Sequence, residues 1–423
     1  MKKLLGLLLV AVIAFPANAA VIKNVELKGE VQTIASDVKH NLALAPNMDI
    51  YNRGAWTRAI AGLSFDVVED VKANLLFQYA YAWGDNNYLN NGFESAEGMR
   101  LVNANLVLSN LFCCLEATIG RQFYGEDNSP IIYFGPNHYN AEGGLATALD
   151  AVTVRYGDDF KTFTVLAGRV ADLSNGYYAL AWGDGEEARA NIWGADLKLN
   201  LTDALKAQVY GYDITDEKEY IYGEEVSPLT EDKHFGVYGA KLGWDSETFR
   251  ASAEYARNFA GHRLVKEHHD TGYLAKADIA ADINAFTARG SFVYAKNFLS
   301  FGNYAPGLIY GHTLSTLHIF NGLNALNGAG MLDGEGAGVR MFNVGFDVRP
   351  SEKWTVSLDG FSFQDRYGRH AATLEADLTA KYAYNEYVEM FGGVAYMKHG
   401  TGGLQTLFGS ENYKGQLGML VRF

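Results

Sequence analysis

The residues of this chain best equipped for chemistry are charged side chains set at even spacing within extended, alternating segments. Arg58, Arg155, Lys241, Arg250 and Arg289, with Lys72, Lys198, Lys206, Lys381 and Arg422, fall on the face opposite the apolar positions of their segments. Glu254, Asp359, Glu375 and Asp377, with Glu26, Glu30, Asp66, Glu116 and Glu389, share that face. Period-2 alternation sends successive side chains to opposite faces of a strand. A wall carrying both signs of charge suits the selection of a charged solute, because charged rings set selectivity in pores. Arginine adds a planar fork that holds two oxygens of a carboxylate or phosphate. The plain alternative is that these groups pair with one another and stiffen the wall. Arg250 and Glu254, four apart on one face, would pair only indirectly.

Other chemistry is thinly represented. His262, His268, His269 and Asp270 share one connecting segment and have metal-ligand character, but surface histidines are the simpler explanation. No nucleophile elbow, zinc-protease His-Glu-x-x-His or phosphate loop occurs, so no catalytic residue, metal or cofactor is expected. A barrel enzyme with dispersed catalytic residues stays open as a further alternative. Cys113 and Cys114 are adjacent, and one peptide step is shorter than an ordinary disulfide span, so no structural disulfide is expected.

The elements that must position these residues are strands. In Tyr413 to Phe423, Tyr413, Gly415, Leu417, Met419, Val421 and Phe423 alternate with Lys414, Gln416, Gly418, Leu420 and Arg422. A strand of about 9–11 residues with one apolar face fits a bilayer wall. Val71 to Trp83 alternates just as regularly. Short turns at 69–70, 157–159, 200–203, 245–247, 350–352 and 385–386 alternate with long polar connections. This rhythm predicts an all-β, transmembrane antiparallel β-barrel of about 18 strands (16–18), with short periplasmic turns and long extracellular loops. The strand near 298–304 is poorly marked, and 306–336 is the candidate for a loop folded inward. The soluble alternatives are a sandwich, a propeller or a β-helix; the absence of a fixed repeat weakens the last two.

Residues 1–19 read as a signal peptide: Lys2 and Lys3, an apolar run from Leu4 to Phe15, then Ala17-Asn18-Ala19. Residues 20–423 then form a single barrel domain in the bacterial outer membrane. The first strand follows almost at once, so no plug domain is expected. With no later run long enough for a spanning helix, only a closed barrel can cross the bilayer. Seven prolines, 26 tyrosines and 24 phenylalanines in 423 residues suit strands and bilayer interfaces. A net charge of −14 argues against a nucleic-acid partner. Expected partners are outer-membrane lipid and lipopolysaccharide, and the permeating solute.

Segment 115–172 carries a family likeness. Leu115-Glu-Ala-Thr-Ile-Gly-Arg-Gln122 is followed by a long loop, then Ala148-Leu-Asp-Ala-Val-Thr-Val-Arg-Tyr156, a short turn and Phe163-Thr-Val-Leu-Ala-Gly-Arg-Val-Ala-Asp172. This resembles the alginate export family of outer-membrane barrels. The resemblance implies a monomeric eighteen-stranded channel, and passage of an anionic or polar saccharide. Arg121, Asp150, Arg155 and Arg169 are the positions it marks, which adds Arg121 and Arg169 to the pore-lining candidates. The terminal aromatic strand likewise resembles the signal that outer-membrane assembly machinery reads. Alternation, however, puts Arg121 with Ile119, and Arg169 with Phe163 and Val165, on the lipid side. Either both lie above the apolar band, where a charge is tolerated, or a bulge turns them inward. The alternative function is a general or nutrient-uptake diffusion porin, favoured if a loop narrows the lumen.

Overall fold

In the computed structural model the described residues are 22–41, 49–83, 98–112, 114–136, 138, 146–171, 190–216, 234–260, 272–296, 298, 300, 302–304, 306–309, 338–365, 371–398, 400 and 411–423. The expected signal peptide, Cys113 and the 262–270 histidine cluster lie outside them.

Eighteen antiparallel strands close into one wall. They are β1 (Lys23–Asn41), β2 (Asp49–Val68), β3 (Val71–Ala82), β4 (Gly98–Leu111), β5 (Leu115–Gln122), β8 (Ala148–Gly157), β9 (Lys161–Ala171), β10 (Ala190–Asn200), β11 (Leu205–Asp216) and β12 (His234–Asp245). The wall continues through β13 (Phe249–Ala260), β14 (Tyr273–Ile283), β15 (Phe286–Lys296), β16 (Gly338–Ser351), β17 (Trp354–Asp365), β18 (Thr373–Ala383), β19 (Val388–Lys398) and β20 (Glu411–Arg422). Two short strands, β6 (Tyr124–Gly125) and β7 (Tyr133–Phe134), pair with each other away from the wall.

Closure satisfies every edge. β20 lies against β1 from Glu30↔Arg422 to Lys39↔Tyr413, and Gly29 and Phe423 exchange backbone hydrogen bonds of 2.8 and 3.0 Å. Lys414 and Gln416 therefore sit opposite Val38 and Ser36 of β1. The outward rows are apolar and exposed, as in Phe342, Val344 and Phe346 of β16. So much exposed apolar area is foreign to a water-facing surface and matches hydrocarbon. Aromatic side chains flank it at both ends: Trp244, Phe249, Phe286 and Trp354 near the short turns, Tyr79, Tyr81, Tyr238 and Tyr413 near the long connections. Short turns use residues that tolerate positive φ, including Asp70 (63°), Asn110 (58°) and Asn284 (55°).

The expected count holds, but one strand was misplaced. Tyr273–Ile283 is a wall strand that the alternation rule reads as connection. Its outward face is alanine-rich (Ala275, Ala277, Ala281) and its inward face charged (Lys276, Asp278, Asp282), so neither apolar contrast nor β-propensity marks it. Of the segment Phe298 to Tyr304, expected as a weak wall strand, Phe298 and Tyr304 are instead buried in one cluster with Ile131, Ile132, Phe134, Leu308 and Ile309.

Candidate functional site

Two segments leave the wall and fold into the lumen. The first joins β5 to β8 and carries the β6–β7 hairpin. The second follows β15 and is described at Phe298, Ser300, Gly302–Tyr304 and Pro306–Ile309. Pro130-Ile-Ile-Tyr-Phe134 is the sequence signal for the first: a surface loop has no reason to carry four consecutive large apolar residues. The expectation of an inward loop at 306–336 is met at its start, 306–309; residues 310–337 lie outside the described residues.

A chain of polar contacts latches the first segment to the wall. Arg58 is fully buried and donates to Glu30 Oε1 (2.8 Å) and Gln32 Oε1 (2.8 Å). The other oxygen of Glu30 meets His138 Nε2 at 2.8 Å. His138 Nδ1 reaches Asp127 Oδ2 at 3.2 Å. Asn303 Nδ2 then donates to Asp127 Oδ1 at 2.6 Å, and the Asn303 amide to the Ser129 carbonyl at 3.0 Å, tying the two segments together. Both ring nitrogens of His138 face carboxylates, so the imidazolium is the form that donates to both. Burial opposes its charge, but Asp127 and Glu30 outweigh burial and raise its pKa. Burial likewise works against ionised Asp127, and its bonds from His138 and Asn303 override that and hold its carboxyl below the usual range. Glu126 is held low by its 2.7 Å bond from Lys198 Nζ, against a smaller effect of burial.

The second segment docks on β18 and β20. Leu308 and Ile309 amides donate to Asp377 Oδ2 (2.8 Å) and Glu375 Oε1 (2.7 Å), and Lys414 Nζ donates to the Leu308 carbonyl (2.8 Å). Gly307 leaves no room for a Cβ against the Glu375 carboxylate.

Beneath these segments lies an arc of charge on β8 to β17. Arg155, Lys198, Lys241 and Lys276 line a cavity of about 370 Å³ together with Glu126, Asp127, Asp196 and Glu254. A second cavity, about 550 Å³, is lined by Lys206, Arg250, Lys276, Arg289 and Arg349 with Asp245, Asp278, Asp347 and Asp359. Arg289 bridges Asp347 Oδ1 (2.8 Å) and Asp359 Oδ2 (2.9 Å), and Asn343 supports Asp359 at 3.2 Å. Gly345 makes this bridge possible, since a Cβ there would strike Asp359 and crowd the Arg289 guanidinium. Arg250 pairs with Asp282 (2.9 Å) and Glu254 with the Tyr210 hydroxyl (2.8 Å); the expected Arg250–Glu254 relation is not what the strands bring together.

The expected pore-lining residues thus separate into three sets. Arg155, Lys241, Arg250, Arg289, Glu254 and Asp359 line the lumen cavities. Arg58, Glu375 and Asp377 face inward but are consumed in holding the two segments. Arg121 and Arg169 are on the outer face, above the apolar band. Arg121 makes a bidentate bond to Asp150 (2.8 and 2.8 Å), directly across from it on β8, and Arg169 lies across from both Asp150 and Asn191. The bulge on β4 between Leu101 and Asn103 lies in its pairing with β3, and Arg121 stays across from Asp150 on the outer face. Lys276, Arg349, His138 and Asp127 were not foreseen: Lys276 lies on the unrecognised β14, and the last two lie in what reads as a surface connection.

By sequence, no family model and no curated protein matches the chain. By structure it is similar, over nearly its whole length, to proteins of Pseudomonas aeruginosa. OccD3 (OpdP) aligns with TM-score 0.56 at 12% identity, covering 98% of this chain and 97% of that one. The outer membrane protein OpdK aligns with TM-score 0.60 at 11% identity, covering 94% and 98%. OpdQ aligns with TM-score 0.58 at 8% identity, covering 96% and 99%. The barrel fold is shared. The likeness is one of fold. The alginate-export resemblance drawn from segment 115–172 matches no family model, and three of its four marked positions, Arg121, Asp150 and Arg169, are outside the lumen.

Proposed function

We propose that this protein is a bacterial outer-membrane diffusion channel of the nutrient-uptake kind, admitting small anionic or polar solutes, saccharide acids among them, with no catalytic step. One observation carries the reading: two chain segments are latched inside the lumen above a mixed arc of charge. Such a constriction suits a small solute and opposes free passage of an alginate polymer. Guanidinium and ammonium groups at Arg155, Lys241, Lys276 and Arg289 attract an anion, and the aspartates beside them prevent tight trapping, as conduction requires. The shared fold with outer-membrane proteins supports the location. Closure of the barrel by one chain supports a monomer, and the terminal Phe423, bonded to Gly29, supports recognition of the last strand by assembly machinery. Planar-bilayer recordings in a salt gradient test the function. An open, anion-preferring pore blocked by a small uronate but insensitive to long alginate is expected; a closed or strongly cation-selective pore overturns it.

A further inference from the structure

Of the acids that line the smaller lumen cavity, Asp196 is the one left short of donors. Glu126 takes the Lys198 ammonium at 2.7 Å, Asp127 takes His138 and Asn303, and Glu254 takes the Tyr210 hydroxyl at 2.8 Å. Asp196 is only 7% exposed, and the bond it accepts is a 3.3 Å contact from the Tyr124 hydroxyl to Oδ2. That hydroxyl is shared with Tyr212 at 3.1 Å. Asp196 Oδ1 has no donor among the described residues. An ionised carboxylate offers about four lone-pair sites. A buried acceptor left without donors is costly, so the protein keeps this one for a purpose.

The neighbouring strands supply the rest of a site. Thr164 of β9 lies directly across from Asp196 on β10 and, on its other side, from Arg155 on β8. All three residues line the cavity. Adjacent strands are about 4.8 Å apart, so the backbones of Arg155 and Asp196 stand about 10 Å apart with Thr164 between them. No side-chain hydrogen bond or ion pair engages Arg155 or Thr164 among the described residues. A guanidinium, a hydroxyl and an undersupplied carboxylate in one row suit a molecule with an anion at one end and hydrogen-bond donors at the other. An ammonium is a poor donor here, because Lys198 and Arg155 already act on Asp196 and repel a further cation. Hydroxyls donate without that penalty.

We infer that Arg155, Thr164 and Asp196 form a subsite for a polyhydroxy acid of sugar size. Arg155 holds the carboxylate in its two-donor fork, Thr164 bonds the ring, and Asp196 accepts from a hydroxyl. The inference rests on the uptake-channel reading and adds the residue that separates a hydroxy acid from a plain carboxylate. By charge alone Asp196 opposes any anion, so its favourable contact with such a solute runs through a donor. A site built around a substrate hydroxyl discriminates against the analogue lacking it, because its own polar group then stays unpaired.

Single-channel current interruptions in the full chain test the subsite with three solutes. D-glucuronate carries both carboxylate and hydroxyls. Tetrahydropyran-2-carboxylate keeps the ring and carboxylate without hydroxyls, and D-glucosamine keeps the ring and hydroxyls with an ammonium. Glucuronate is expected to block wild type at about ten-fold lower concentration than the hydroxyl-free acid, and glucosamine to block weakly. Asp196→Ala should weaken glucuronate about ten-fold and tighten the hydroxyl-free acid, because it removes an acceptor and a negative charge together. Thr164→Val should weaken glucuronate about three-fold and leave the hydroxyl-free acid unchanged. Arg155→Gln should weaken both acids alike. Equal block of wild type by the two acids overturns the inference and leaves the channel reading standing. So does a shift of both acids in one direction in Asp196→Ala, since Asp196 would then act as a charge alone. Block by glucosamine at the glucuronate concentration overturns it as well. Block by neither acid in an open pore overturns the uptake reading with it. Should Asp196→Ala fail to fold, the wild-type comparison and Thr164→Val decide.

Discussion

Arg58 shows how a residue aligned for chemistry is turned to structure. Fully buried, it is charge-matched by Glu30 and bonded to Gln32, with its guanidinium 5.9 Å from the Trp56 ring centroid. Removing one partner of a buried pair strands the other, at a cost of about 3–5 kcal/mol. Arg58→Met should therefore lower the temperature at which the folded barrel loses its anomalous gel mobility, and Arg58→Met with Glu30→Gln should recover most of the loss; an unchanged temperature in the single variant would remove Arg58 from the latch. His138 adds a pH dependence with a definite sign. Its pKa is raised in the folded protein, so its contribution is complete below the ordinary histidine value and is lost as pH rises through the elevated one. The groups facing it are Glu30, Asp127, Arg58 and Tyr133. Open-channel noise and conductance should thus increase as pH rises through that elevated value, and His138→Gln should flatten the dependence. Arg289 belongs to permeation. Arg289→Ala leaves Asp347 and Asp359 facing the lumen unneutralised, and the reversal potential should move toward cation preference; an unmoved potential would show that Arg289 is only a brace.

The second inward segment meets β18 through backbone amides on two carboxylates, which opens its docking to test. Asp377 and Glu375 accept from consecutive amides, and a hydrogen bond to a charged group contributes about 1.5–3 kcal/mol. Glu375→Gln with Asp377→Asn should loosen 306–309 from the wall, raise conductance and expose the segment to protease, while barrel stability changes little. Unchanged conductance would mean that the segment does not narrow the path. The wall itself was legible, because lipid outside and water inside enforce alternation on strand after strand. β14 escaped that rule through alanines on its lipid side, and 298–304 imitated a strand although its described aromatics, Phe298 and Tyr304, are buried on an inner segment rather than on a wall face. The same limit hid the constriction. Alternation assigns a face to Glu375 and Asp377, yet what meets them is backbone amide from a distant segment, which no spacing within β18 encodes. Arg121 and Arg169 were readable in the other direction: period-2 reasoning put them on the lipid side, and the paired Asp150 supplies the compensation that lets them stay there.

Asymmetry between the two ends organises the whole molecule. Short turns and the backbone bonds between Gly29 and Phe423 mark one end; the long connections and the inward segments mark the other. The formal charge of −14 is spread unevenly, since the lumen arc balances its acids with Arg155, Lys241, Lys276 and Arg289. A channel placed with its short turns toward the periplasm presents its constriction to arriving solute before the charged cavities. Cys114 reports this orientation without any substitution. It is exposed and lies in the turn between β4 and β5, at the short-turn end. A maleimide carried on a polymer too large for the lumen should leave the protein unlabelled in intact cells and label it once the outer membrane is permeabilised. Labelling at equal rates before and after would place the short turns outside the cell and reverse the order of constriction and cavities.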